Sequence, residues 1–106
     1  MDVKEINKCV TEVLKQAADT VSARAEDYDT ACENSFPVIA ELWNARAGSS
    51  LYAPSDVAEM LALMKIGRAQ NRKLRLDSYL DACAYLAFAF ALRLNENSEG
   101  DNHENP

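Results

Sequence analysis

Apolar side chains recur every third or fourth residue through Val3, Ile6, Val10, Val13, Leu14, Ala17 and Val21, the spacing of one helix face. Asp2, with Glu5 three residues later, has the form of a capping box, so a first helix is expected from Asp2 to about Arg24. The polar stretch AEDYDTACENS (25–35) then reads as a loop, with a second helix entered through Ser35 and Pro37. Phe36, Ile39, Ala40, Trp43 and Ala47 form that helix's apolar stripe, and Gly48 ends it. A third start lies at Ser55 or Asp56, with Glu59 at the third helical position, and the helix runs to about Ala69. The connection QNRKLRL (70–76) is short and basic, and Asp77 caps or opens a fourth helix that continues to about Leu94. Residues 95–106, NENSEGDNHENP, carry no apolar side chain and are expected to be disordered. No strand alternation, internal repeat or heptad seam stands out. The expected fold is therefore all-α, an antiparallel bundle of about four helices over residues 1–94 followed by an acidic tail.

Composition narrows the function classes. A chain of 106 residues with three Pro and three Gly suits one helical domain. Its net charge of −6 falls to −2 once Glu96, Glu99, Asp101 and Glu104 of the tail are set aside, so the body is nearly balanced. Neither an acidic surface mimicking nucleic acid nor a basic stripe for binding it is indicated. Cys9, Cys32 and Cys83 are odd in number and lack any C-x-x-C, which points to a reducing compartment rather than a disulfide framework. The N-terminus MDVKEINKCV has charges where a signal peptide needs apolar residues. The longest apolar run, ACAYLAFAFAL (82–92), is well below the roughly 20 residues of a membrane span. His103, the single histidine, lies in the tail, which removes Ser-His and Cys-His nucleophile pairs and histidine metal sites. The glycines stand alone at 48, 67 and 100, so there is no phosphate loop, and Gly67 inside a helix is expected to allow close approach of a neighbour.

One constellation carries chemistry. At 100° per residue Lys65, Arg68 and Arg72 fall in one sector of the third helix, beside Val57, Leu61 and Met64. On the fourth helix Asp77, Asp81, Ala84, Tyr85, Phe88 and Leu92 share a face, and the short connection sets the two charged groups side by side. The structural reading is an ion-pair layer at the core's rim. The functional reading has Asp77 and Asp81, with Glu59 or Glu33, holding Mg²⁺ while Lys65, Arg68 and Arg72 receive phosphate oxygens. Trp43 and Tyr85 read as core aromatics that would stack a base if the bundle end were open. Helices three and four are apolar over most of their circumference, so a dimer is expected.

With RAEDY (24–28), IAELW (39–43), PSDVAEM (54–60), KIGR (65–68) and DSYLDACAY (77–85) in view, the chain resembles a family of small helical proteins encoded by tailed bacteriophages and prophages. That resemblance implies a phage accessory protein in the cytoplasm of an infected bacterium, binding a host protein or a phosphorylated small molecule. Interference with host defence is one form this would take. The family is in turn distantly similar to the MazG-like all-α nucleotide pyrophosphohydrolases, whose acidic side chains hold Mg²⁺ against nucleotide phosphates. Here their E-x-x-E pair is represented by Glu41 alone, and their E-x-x-D pair by D-x-x-x-D at 77–81. The resemblance thus offers hydrolysis as an alternative to binding, and a structural subunit without ligand is a third.

Overall fold

The first helix begins where its cap predicts: Asp2 Oδ1 accepts the Glu5 N–H at 2.8 Å, and the Asp2 carbonyl accepts the Ile6 N–H at 3.0 Å. The computed structural model describes residues 1–28, 31–70 and 74–104, with side chains for 1–23, 35–70 and 74–98. It is an antiparallel helical bundle of α1 (Val3–Tyr28), α2 (Ala31–Ala47), α3 (Pro54–Ala69) and α4 (Leu76–Glu104), without a strand among the described residues. The hairpin α3–α4 is its most extensive helix pair, and α1 and α2 pack against it.

Four boundaries differ from expectation. The polar loop expected at 25–35 is mostly helix, since α1 reaches Tyr28 and α2 starts at Ala31, which leaves Pro37 inside α2. Proline removes one helical hydrogen bond there, but Pro37 faces solvent, and burial of its neighbours Phe36 and Ala40 holds the turn. The start of α3 is capped at Ala53, with Pro54 opening the helix. Asp56, the third helical residue, accepts the Ala53 N–H at 2.9 Å, so neither Ser55 nor Asp56 is the cap and Glu59 lies a turn too late. Finally, α4 runs past its expected end near Leu94 to Glu104, and Glu96 ties the first turn of that extension to α3. Its carboxylate accepts both the backbone N–H and the hydroxyl of Ser55, a residue with no exposed surface, so a turn written in polar residues is anchored to the start of α3.

The α2–α3 connection is fixed by two devices. Gly48 takes φ 65°, the left-handed conformation that favours glycine. Ser49 N–H reaches the Asn44 carbonyl at 3.0 Å and Gly48 N–H the Ala45 carbonyl at 3.3 Å, closing α2 in a Schellman motif. The Asn44 side chain then clamps the loop, accepting the Tyr52 N–H at 2.8 Å and donating to the Tyr52 carbonyl at 2.9 Å, while Trp43 meets the Tyr52 ring edge-on at 5.5 Å.

The core joins Phe36 and Ala40 of α2, Val57 and Ala58 of α3 and Ala89 of α4, and Phe36 packs against the rings of Tyr85 and Phe88. Most buried side chains are alanines, which lets the helix backbones of the hairpin approach closely but leaves little large apolar volume inside. Gly67 has no part in that approach. It is exposed, and a Cβ there would meet nothing within 4 Å.

Candidate functional site

At the turn of the hairpin the last turns of α3 face the first turns of α4 across an open cleft of about 490 Å³. Lys65, Arg68, Arg75, Leu76, Asp77, Ser78 and Asp81 line it. Lys65 continues the inward face of α3, and its Nζ lies 3.0 Å from Asp81 Oδ2, with the two side chains 17% and 20% exposed. The wheel position and the short connection thus bring together the two charges that they predict. Asp77 stands one turn before Asp81 as the second residue of α4, which Leu76 begins, so it sits in the helix's first turn and neither caps nor opens it. Arg68 reaches the same cleft from the last turn of α3.

Arg75 is a residue that sequence reasoning missed. It precedes α4 by one position, inside the stretch read only as a basic connection, and its separation of two from Asp77 was the available signal. Arg72 falls outside the described residues, and the side chain of Glu33 does too. Glu59 is not at this cleft: its carboxylate pairs with Arg93 at the opposite end of the hairpin, because it lies nearly two turns before Lys65. Trp43 and Tyr85 are also elsewhere. Trp43 lines a separate hollow with Tyr52 and Met60, and Tyr85 turns into the core against Phe36.

The electrostatics of the cleft run against those of the chain. Three cations, Lys65, Arg68 and Arg75, face two carboxylates, Asp77 and Asp81, in a protein of net charge −6. Among the described residues the guanidinium groups of Arg68 and Arg75 have no ion-pair or hydrogen-bond partner. The first residues of α4 line the cleft, so the positive end of a long helix dipole lies beside it. Such a cleft can receive an anion with several oxygens, Arg offering planar paired donors and Lys a point charge.

It fits a divalent cation less well. No group of three Asp, Glu, His or Cys side chains that could hold a metal occurs among the described residues. Asp77 with Asp81 would serve Mg²⁺ only alongside ligand phosphates, and only once the Lys65 ammonium released Asp81. At the other end of the hairpin Arg93 contacts both Glu59 and Asp56, and its hydrogen bond to Glu59, reinforced by that residue's charge, raises its pKa. Cys9 is a free exposed thiol and Cys83 a free, half-buried one. No helix among the described residues is long and apolar enough to cross a membrane.

Comparison with known proteins adds a family and a phage relative. The family described as domain of unknown function DUF6378 matches residues 12–93, which include every described residue lining the cleft. The Gene 55 protein of Mycobacterium phage L5 is 33% identical over 86 residues, covering 80% of this chain and 54% of that relative. The chain therefore spans about half the length of the curated relative it matches. No solved structure matches it.

Proposed function

This chain belongs to the DUF6378 family, and from that premise and the chemistry of the cleft we propose that it is a phage-type accessory protein that binds a phosphorylated small molecule. The observation that carries this reading is the pair of arginines, Arg68 and Arg75, without a partner among the described residues and set in one cleft with Lys65 at the head of α4. In it, Arg68 and Arg75 take phosphate oxygens, Lys65 adds a third positive charge, and Asp81 keeps the Lys65 ammonium in place. A nucleotide-like ligand would leave its base outside the aromatic core, since Trp43 and Tyr85 are not cleft residues. Sequestering a nucleotide-like signal is one way for such a protein to interfere with a host defence.

Calorimetry with inorganic pyrophosphate and a set of nucleoside triphosphates, in EDTA, tests this directly. Saturable binding is expected, weakened at least about tenfold by Arg68→Ala and by Arg75→Ala. A wild-type protein silent towards every probe would sink the proposal. The second reading, a MazG-like Mg²⁺-dependent pyrophosphohydrolase, draws support from Asp77 and Asp81 standing one turn apart at that cleft. It requires pyrophosphate release in Mg²⁺ or Mn²⁺ that is lost in Asp81→Asn.

A further inference from the structure

The chain exposes more surface than a lone domain of its mass. Its accessible area is 8039 Å², whereas a folded monomer of 11.7 kDa has about 5,900 Å². Its radius of gyration of 16.4 Å likewise exceeds the roughly 13 Å expected of a compact domain this long. The excess of about 2,100 Å² includes the projecting length of α4, and it is of the size that one subunit of an obligate dimer loses at its interface.

Exposed apolar side chains occur on every helix, and α4 carries an unbroken row of them. Along α4 the residues Leu76, Tyr79, Cys83, Leu86, Phe90 and Leu94 recur at spacings of three and four, and they form a row turned away from the core. Leu86 is 50% exposed and Phe90 67%. On one flank of the row, Leu63 and Ile66 of α3 border a hollow with Leu86 and Phe90. On the other flank, Ile6, Val10 and Leu14 of α1, all about half exposed, border a hollow that reaches Cys83. Cys83 and Leu86 are one turn apart on the same side of α4, so the two hollows meet along this row. No charged residue occurs in α4 between Asp81 and Arg93. The pairs Lys65–Asp81 and Arg93–Glu59 stand at the two ends of that uncharged span. An apolar centre closed off by charges is the anatomy of a subunit interface.

We propose that this face binds a second copy of the chain, with α4 lying across α4 of its partner to complete a larger helical core. A copy is the occupant because even half of the excess area, about 1,000 Å², is what one subunit loses at a dimer interface of about 2,000 Å², and because a row without charge is self-complementary about a twofold axis. Leu76, at the end of the row, also borders the cleft at the hairpin turn, but Leu86 and Phe90, the residues tested here, lie more than two turns further along α4 and line none of it, so the two proposals are tested separately.

Sedimentation equilibrium of the full chain from about 1 to 100 µM tests it. The wild-type protein is expected at about 23 kDa, twice the 11.7 kDa chain, with a melting temperature that rises with concentration. Leu86→Asp with Phe90→Asp is expected to sediment as a monomer or to lose its helical circular dichroism for want of a partner. Leu42→Asp, at an exposed leucine of α2, should leave the mass unchanged. The milder Phe90→Ser should raise the dimer dissociation constant at least about tenfold. A wild-type monomer across that range, including one whose face is taken by another protein, would overturn the proposal. So would a Phe90→Ser dimer of wild-type strength, or a dimer dispersed by Leu42→Asp.

Discussion

The two ends of the α3–α4 hairpin are built from similar charged residues, yet one is closed and the other is not. At the far end Ser55 meets Glu96 through both its N–H and its hydroxyl, the Ala53 N–H meets Asp56, and Arg93 sits between Glu59 and Asp56. Each of these donors has a matched acceptor. At the turn, Lys65 is paired with Asp81 while Arg68 and Arg75 face open space. Charges whose partners lie within the chain fix helix register, and charges left over are available to a ligand. What separates the ends is the matching of donors to acceptors, since the residue types are nearly the same.

Breaking the closed end is expected to have the largest effect on stability. Glu96→Ala strands the buried Ser55 hydroxyl and N–H and should cost about 2 kcal/mol, a drop of roughly 10 °C in melting temperature by calorimetry. A shift below about 2 °C would mean that this end is no more committed than the turn. Next in size is Gly67→Ala, on the exposed side of α3 beside the cleft. No packing there recovers the cost of a helical glycine, so denaturant unfolding should show a gain of about 0.5–1 kcal/mol. Loss of stability would reveal a backbone role for Gly67 at the cleft. The smallest expected effect is Arg93→Ala, a shift of the unfolding midpoint smaller than that of Gly67→Ala in the same assay, because its ion pairs are solvent-exposed. If it instead rivalled Glu96→Ala, the closed end would owe its strength to charge rather than to burial.

The parts of this comparison differ in how far they could be read from the sequence. Local signals were readable: Asp2 before an apolar period, Gly48 after one, and the helical sector shared by Lys65 and the apolar face of α3. The Lys65–Asp81 pair followed because a short connection turns position along two helices into distance in space. Longer-range relations were not readable. Glu96 looked like part of a charged tail because its partner Ser55 is 41 residues away. Pro37 looked like a helix start, since the burial of Phe36 that carries the helix through it is a tertiary fact. The outer row of α4 was hidden for a different reason. In a segment as uniformly apolar as 82–92 the pattern cannot say which side is covered, and the neighbouring helices decide it.

The Asn44 clamp has a consequence for which changes the molecule tolerates. Its amide reads the peptide unit of residue 52, not the phenol, so the hydrogen bonds themselves survive any side chain there that keeps the backbone in place. Asn44 has no such freedom. Aspartate is nearly its equal in shape, but it would set a lone pair against the Tyr52 carbonyl and leave the loop with an acceptor where it needs a donor. Natural variation in this connection should therefore gather in residues 49–51, with an amide preserved at position 44 as the fixed point around which the loop diverges.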